Sequence, residues 1–333
     1  MIFVGFLYLA NTPIEKSLFD RVVAYAPQLF ELPQEKKDAL RMANSPTFLG
    51  YSRFGAELTR GAVDQREQID LAIDKNEKWK PGEPEYTRLQ GKAQWPSEED
   101  LPGFRETVSD YFSKLETLSY ELIGLIAEAL GLPSSGLSEF FDQPGTLQHR
   151  GKIVKYPAPK DEASSDQGVG PHFDAGFLTL LLQASEHKGL QVQAPDGLWV
   201  DAPPIPYTLV VNFGKGLEAA TQGLARATSH RVLSPTVGST PRYSIPFFQR
   251  IRQEIKLTDF IPEIPSEVLA LKEQRGENGT TDSVNYSEYD REPSGLVELI
   301  GRVKSHPDVA QRHYPGLFKQ FFPQGLPAHG MAY

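Results

Sequence analysis

Seven short runs of β-type residues follow one another after about Gly145: KIVKYP, FLTLLLQ, LQVQ, LWVDA, YTLVVNF, ARATSHRVL and RYSIPFFQ. Gly, Pro and Asp turns divide them. That spacing predicts a mainly β core, a sandwich or barrel such as a double-sheet jelly roll (double-stranded β-helix). Ahead of them, residues 101–130 carry apolar side chains at three- and four-residue steps, among them Phe104, Val108, Tyr111, Phe112, Leu115, Leu118, Leu122, Leu125 and Ile126. This is the stripe of a long amphipathic helix, and Gly131 and Pro133 end it. The fold class is therefore a β core with flanking helices. With 39% hydrophobic and 23% charged residues over 333, the chain is long enough to bury such a core.

From the start, MIFVGFLYLA is apolar but short, without a positive flank or a small-residue cleavage site, and reads as a buried strand at 2–9 rather than a signal peptide. Pro13 opens an apolar-periodic helix that runs to about Phe30. LPQEKKDAL starts a second, short one with Pro33 early. Residues 44–66, rich in Gly, Ser, Thr and charge, read as a long loop, and 74–100 as a second polar segment broken by PGEPE, QGK and WPSEED. A short helix is expected at 135–142. After the strands, 272–293 reads as a polar loop over the core, GLVELIGRVK as a helix and HYPGLFKQFFP as a compact end. The divisions are 1–145, a mostly helical region packed on the core; 146–255, the jelly roll; and 256–333, loop and helices.

Composition narrows function by exclusion. A net charge of −9 is unlike the basic face of a duplex nucleic-acid binder. No segment approaches the roughly 18 apolar residues that cross a bilayer, so a cytosolic protein without membrane partner is expected. With no cysteine, any metal must be held by His, Asp or Glu.

His172 and Asp174, in GPHFDAGFLTLLLQ, are placed one apart beside a β-type run. On a strand, residues i and i+2 share a face, so an imidazole and a carboxylate would project together. His230, in ATSHRVLSP, is the candidate third ligand. Two histidines and a carboxylate form the facial triad of non-haem Fe(II) with open positions, although zinc hydrolases use the same donors. Arg242 and Ser244, in TPRYSIPFF, share a face by the same rule. If their strand pairs with that of His230, the face is the metal's. A guanidinium beside a hydroxyl suits a carboxylate, for which a zinc hydrolase has no use.

These residues resemble the isopenicillin N synthase-like branch of the Fe(II)/2-oxoglutarate-dependent dioxygenases, in its fungal type: H-x-D, a distal His, then R-x-S. KYPAP is similar to the family's tyrosine-proline segment. The stretches GLQVQAPDGLWVDAPP and VVNFGKGLEAATQGLARATSHRV look like its sheet between the ligands, and GYSRFGAELTRGAVDQREQIDLA, with Gly50, Tyr51, Glu57, Asp64 and Glu67, like its substrate-pocket wall. The resemblance implies Fe(II) on His172, Asp174 and His230, with 2-oxoglutarate and O2 as co-substrates. It places Arg242 and Ser244 on the distal carboxylate of 2-oxoglutarate, Tyr156 near the carboxylate at the metal, and Asn212 in the pocket lining.

The implied reaction hydroxylates, desaturates or cyclises a small organic molecule, releasing succinate and CO2, and secondary metabolism is its expected setting. A 2-oxoglutarate-independent oxidase of the same fold and a non-catalytic jelly-roll binding module are the alternatives. The chain departs from the family pattern at Phe173, usually Thr or Ser, and at Lys215, usually Asp after the glycine. Members also usually begin about thirty residues earlier, within ordinary domain sizes. Phe177, Phe247 and Phe248 either line an apolar pocket or pack the core. Oligomeric state and substrate have no signature here.

Overall fold

The computed structural model describes residues 1–161, 165–275 and 291–331. Strand β1 (Phe6–Leu9) leads into helices α1 (Lys16–Glu31) and α2 (Gln34–Ala39). Short strands β2 (Gly50–Ser52), β3 (Glu57–Thr59), β4 (Ala62–Val63) and β5 (Glu67–Leu71) precede the long helix α3 (Phe104–Ala129). The core strands are β6 (Arg150–Tyr156), β7 (Gln167–His172), β8 (Leu178–Gln183), β9 (Leu190–Gln193), β10 (Trp199–Asp201) and β11 (Leu209–Phe213). Helix α4 (Lys215–Ala220) separates them from β12 (His230–Leu233) and β13 (Arg242–Phe248). Helices α5 (Ser266–Leu269), α6 (Leu271–Arg275), α7 (Ser294–Ser305), α8 (Pro307–His313) and α9 (Pro315–Phe321) and strand β14 (Gly330–Met331) complete the order. No described helix is long and apolar enough to cross a membrane.

Two antiparallel sheets form the jelly roll. The larger has the order β1-β11-β8-β13-β6-β5-β2 and the smaller β10-β9-β12-β7. Strand alternation gives the larger sheet two unlike faces. Its outer face, with Ile69, Ile153, Leu180, Leu182, Leu209, Val211, Ile245 and Phe247, packs on Leu18, Phe19 and Val22 of α1 and Val108, Phe112 and Leu115 of α3. Its inner face sets Val154, Tyr156 and Val210 against Val169, Leu190, Val192 and Val232 of the smaller sheet. Each large apolar side chain so buried contributes about 1.5–3 kcal/mol. The outer contact is close: a Cβ on Gly151 would lie 2.1 Å from the Phe112 ring.

Helix α3 ends as its sequence demands. Gly131 takes φ +77°, Gly131 N–H donates to Glu128 O at 2.9 Å, and Leu132 N–H reaches back to Ala127 O at 3.0 Å. That paired closure needs a left-handed residue, which glycine adopts without cost to a side chain.

Several expectations are corrected. The segment 44–66 is not a plain loop: it carries β2, β3 and β4, of two or three residues each, too short to show alternation. Strand β1 is an edge strand whose Leu7 and Tyr8 are exposed, because the larger sheet continues on one side of it only. The helix expected at 135–142 is a single 3-10 turn, Ser138–Phe140. The stretch 1–145 also lends β1, β2 and β5 to the larger sheet. Of the loop expected at 272–293, the first residues lie in α6, while 276–290 lie outside the described residues.

Candidate metal centre

His172 is the last residue of β7, and His230, the first of β12, is its register partner in the smaller sheet. Their rings stand 4.2 Å apart between centroids. Each imidazole is turned the same way by its own backbone: His172 Nδ1 meets Gly170 O at 2.9 Å and His230 Nδ1 meets Thr228 O at 3.2 Å. A carbonyl accepts only, so Nδ1 carries a proton, and the neutral tautomer of each ring presents the lone pair of Nε2. Both Nε2 atoms lie 3.8 Å from Asp174 Oδ1.

Asp174 does not reach this point from a strand. Strand β7 has ended at His172, and Asp174 sits in the turn before β8. The turn is stapled to the start of α4: Lys215 N–H donates to Asp174 O at 2.8 Å, Gly216 N–H to Ala175 O at 3.0 Å and Gly214 N–H to Phe177 O at 3.0 Å. The staple requires glycine, since a Cβ on Gly214 would stand 2.2 Å from Gly176 O. Two side chains on the inner face of the larger sheet then orient the carboxylate. Thr179 Oγ1 and Asn212 Nδ2 donate to Asp174 Oδ2 at 2.5 and 2.7 Å, leaving Oδ1 for the histidines.

The electrostatics suit a cation. Burial, with His230 next, pushes the His172 imidazole down to about 3, so it is neutral at ordinary pH. Burial alone would raise Asp174. The imidazoles of His230 and His172 and the donors Thr179 and Asn212 outweigh it and hold the carboxyl below its usual range. Two imidazoles and a carboxylate, their donor atoms within 4.8 Å of one another, fit one divalent ion. Metal–ligand bonds of about 2.0–2.2 Å each can span the 3.8 Å separations.

Arg242 and Ser244 lie elsewhere than expected. Strand β13 pairs with β6 and β8, and β12 with β7 and β9, so the strands of Arg242 and His230 are not neighbours but belong to opposite sheets. Alternation nevertheless turns Arg242 and Ser244 to the inner face, because Ile245 and Phe247 pack outward. Arg242, 1% exposed, faces its register partner Tyr156, with the guanidinium 5.1 Å from the ring centre. Its Nη2 donates to Gln183 Oε1 at 3.1 Å, while Nε and Nη1 have no hydrogen-bond partner among the described residues. Buried guanidinium donors are rarely left unmet. Gly189 opens the space around them: a Cβ there would stand 3.3 Å from Arg242 Nε.

Phe177 packs on Phe140 and Phe141, and Phe247 on Phe112 and His149, so both serve the core. Thr179 and Gln183 were not anticipated. Their signal is present in FLTLLLQ, as polar residues on one side of an otherwise apolar strand.

Comparison with known proteins agrees with this geometry. The 2OG-Fe(II) oxygenase superfamily matches residues 147–251, and the family described as non-haem dioxygenase in morphine synthesis N-terminal matches 2–98. The 2-oxoglutarate-dependent dioxygenase frbJ of Dothideomycetidae sp. (strain 11243) is 44% identical, over 97% of this chain and 89% of that one. A 2-oxoglutarate-dependent dioxygenase of Gibberella zeae is 36% identical, over 95% and 85%. A full-length Neurospora crassa protein, solved in complex with alpha-KG, aligns with a TM-score of 0.67 at 29% identity, covering 89% of this chain and 85% of its own.

Proposed function

Because the chain belongs to the 2OG-Fe(II) oxygenase superfamily and is a 2-oxoglutarate-dependent dioxygenase, we propose that His172, Asp174 and His230 hold its iron and that Arg242 anchors its keto acid. Fe(II) supplies the coupling of O2 reduction to 2-oxoglutarate decarboxylation, which yields succinate and CO2 and oxidises a small organic substrate. The observation that carries the residue assignment is the convergence of both Nε2 atoms on Asp174 Oδ1.

The chain's residues prepare the site in three ways. The Gly170 and Thr228 carbonyls fix the imidazole tautomers, as partners behind metal-bound histidines do. Asn212, expected in the pocket lining, acts with Thr179 to orient Asp174. The Nε and Nη1 of Arg242, on different edges of the guanidinium, are unmet donors available to the distal carboxylate of 2-oxoglutarate, with the Ser244 hydroxyl two residues along the same face and the Tyr156 ring behind. Around them the inner-face valines exclude water.

Secondary metabolism is the setting we favour, supported by the two fungal relatives, and the cytosol the compartment; metabolite profiles of a deletion strain and a fluorescent fusion check them. The site itself is tested anaerobically. Fe(II) with 2-oxoglutarate should produce a weak visible charge-transfer band that His230→Ala abolishes. A band of full strength in that variant refutes the ligand set. Succinate release across a metabolite panel then identifies the substrate.

A further inference from the structure

A second set of buried polar groups stands on the inner face of the larger sheet, away from the triad. Lys152 of β6 alternates with Val154 and Tyr156, which face the space between the sheets. Its register partner on β5 is Asp70, and Gln68 of β5 is opposite Val154. Lys152 and Gln68 are thus diagonal neighbours on adjacent strands. Val154 is also opposite Ser244 on β13, so Lys152 lies one strand and two residues from Ser244, and Gln68 two strands from it. The same network reaches toward the triad through Asp64, which pairs with Arg66 and accepts Gly170 N–H at 3.2 Å, two residues before His172.

Both groups are incompletely matched. The Lys152 side chain is 9% exposed, yet its ammonium has no hydrogen-bond partner among the described residues, and Asp70 Oδ1 lies 3.7 Å away. Asp70 does not depend on it, since Arg302 Nη1 donates to the same oxygen at 3.0 Å. Gln68 Nε2 points to Glu57 and Asp70 at 3.4 Å each, which fixes the amide's orientation, and its Oε1 is buried without a partner. The surrounding network joins Arg66, Arg150, Lys152, Arg250 and Arg302 to Glu57, Asp64, Asp70 and Glu298. Among the described residues Lys152 is the cation of this network held least closely, at 3.7 Å. A buried ammonium left without hydrogen bonds is destabilising, so its retention calls for a missing anion.

We infer that Lys152 and Gln68 are the substrate-recognition pair of this enzyme, and that the substrate presents an oxyanion to Lys152 beside an O–H or N–H that Gln68 Oε1 accepts. A carboxylate with a hydroxyl or amino group on the adjacent carbon meets both needs. The inference rests on the metal-site reading above, which places the reaction between the same sheets.

The test uses the full chain loaded with inert Zn(II) and saturating 2-oxoglutarate, which occupies Arg242. Glycolate, acetate and acetamide are the probes, and thermal midpoints are compared for wild type, Lys152→Met and Gln68→Leu. Wild type should be stabilised most by glycolate, less by acetate and not by acetamide. Lys152→Met should melt at or above wild type and bind glycolate at least about tenfold more weakly, the worth of one charge-assisted hydrogen bond. Gln68→Leu should erase the preference of glycolate over acetate.

A Lys152→Met midpoint several degrees below wild type would make the lysine structural and overturn the inference. So would equal glycolate affinity in the two proteins, or a wild type indifferent to all three probes. Failure of 2-oxoglutarate to bind the Zn(II)-loaded wild type would overturn the metal-site reading as well, whereas failure of glycolate alone would overturn this inference only.

Discussion

Thr179 and Asn212 provide the sharpest perturbation of the proposed iron site, because neither would touch the metal. Both donate to one oxygen of Asp174, at 2.5 and 2.7 Å, and this leaves the other oxygen 3.8 Å from each imidazole. A hydrogen bond to a charged acceptor is worth about 1.5–3 kcal/mol, and losing a partner behind a metal ligand typically weakens metal binding by about 10–100-fold. Thr179→Val keeps shape and removes one donor. The Asn212 bond still pins Oδ2, so the loss should sit at the low end, about tenfold. Asn212→Leu should behave alike. In the double variant nothing restrains rotation of the carboxylate. Its loss should exceed the product of the singles and approach about 1,000-fold, the non-additivity expected of groups that share a partner. Mn(II) affinity measured against a fluorescent chelator gives these numbers, with thermal melts as the control. Single variants that bind Mn(II) as wild type does would show that Asp174 is held by its loop alone. A double variant equal to the product of the singles would refute the shared-restraint argument.

Arg242→Lys keeps the charge but replaces the planar, multi-donor guanidinium by a single ammonium, so 2-oxoglutarate affinity should fall about 10–100-fold in an anaerobic titration; an unchanged titration would remove Arg242 from the keto-acid site. His149 offers a test by pH. Burial, then the charges of Arg250 and Lys75, lowers its imidazole from 6.5 to about 3, and its Nδ1 accepts Arg250 N–H at 3.0 Å. Below pH 6.5 the unfolded chain takes up a proton that the folded chain refuses, so this stability is complete above pH 6.5 and is lost as pH falls toward 3. Between about pH 7 and 5 the linkage amounts to about 2 kcal/mol. His149→Gln retains an acceptor and should lose that much less stability in urea unfolding over the same interval; equal losses in both proteins would mean that His149 is protonated in the native state.

What the sequence shows plainly is what depends on local rules. The stripe of α3 and the Gly131 stop are read from spacing alone, and so are the seven core runs. The five residues His172, Asp174, His230, Arg242 and Ser244 stand out by type and spacing, and all face the space between the sheets. The route to that placement was not legible. Equal parity along a strand would set His172 and Asp174 on one face, but the strand stops between them and the turn sets the direction of the carboxylate. Pairing of β12 with β13 would bring Arg242 to the face of His230, but a chain that alternates between sheets sets β12 and β13 in opposite sheets instead. Strands of two or three residues, such as β3 and β4, carry too few positions for alternation to register. Asp70 of β5, the neighbour of Lys152, is bonded by Arg302 of α7, far along the chain, so only the fold reveals how loosely the lysine is held.

The two departures from the family pattern illustrate the same limit from the other side. Read singly, Phe173 and Lys215 are unrelated replacements far apart in the chain. In the fold they meet: the Lys215 ammonium lies 4.7 Å from the centre of the Phe173 ring, and Lys215 also pairs with Glu218. The backbone of the same lysine donates to Asp174 O. Phe173 separates the two ligands of the H-x-D segment, so this cation–π contact, worth about 0.5–2 kcal/mol, fastens the ligand turn to α4 by side chains where the peptide groups already fasten it. Neither replacement alone would supply that contact. The pair therefore acts as one change, a side-chain contact between α4 and the turn that carries the proposed ligand Asp174.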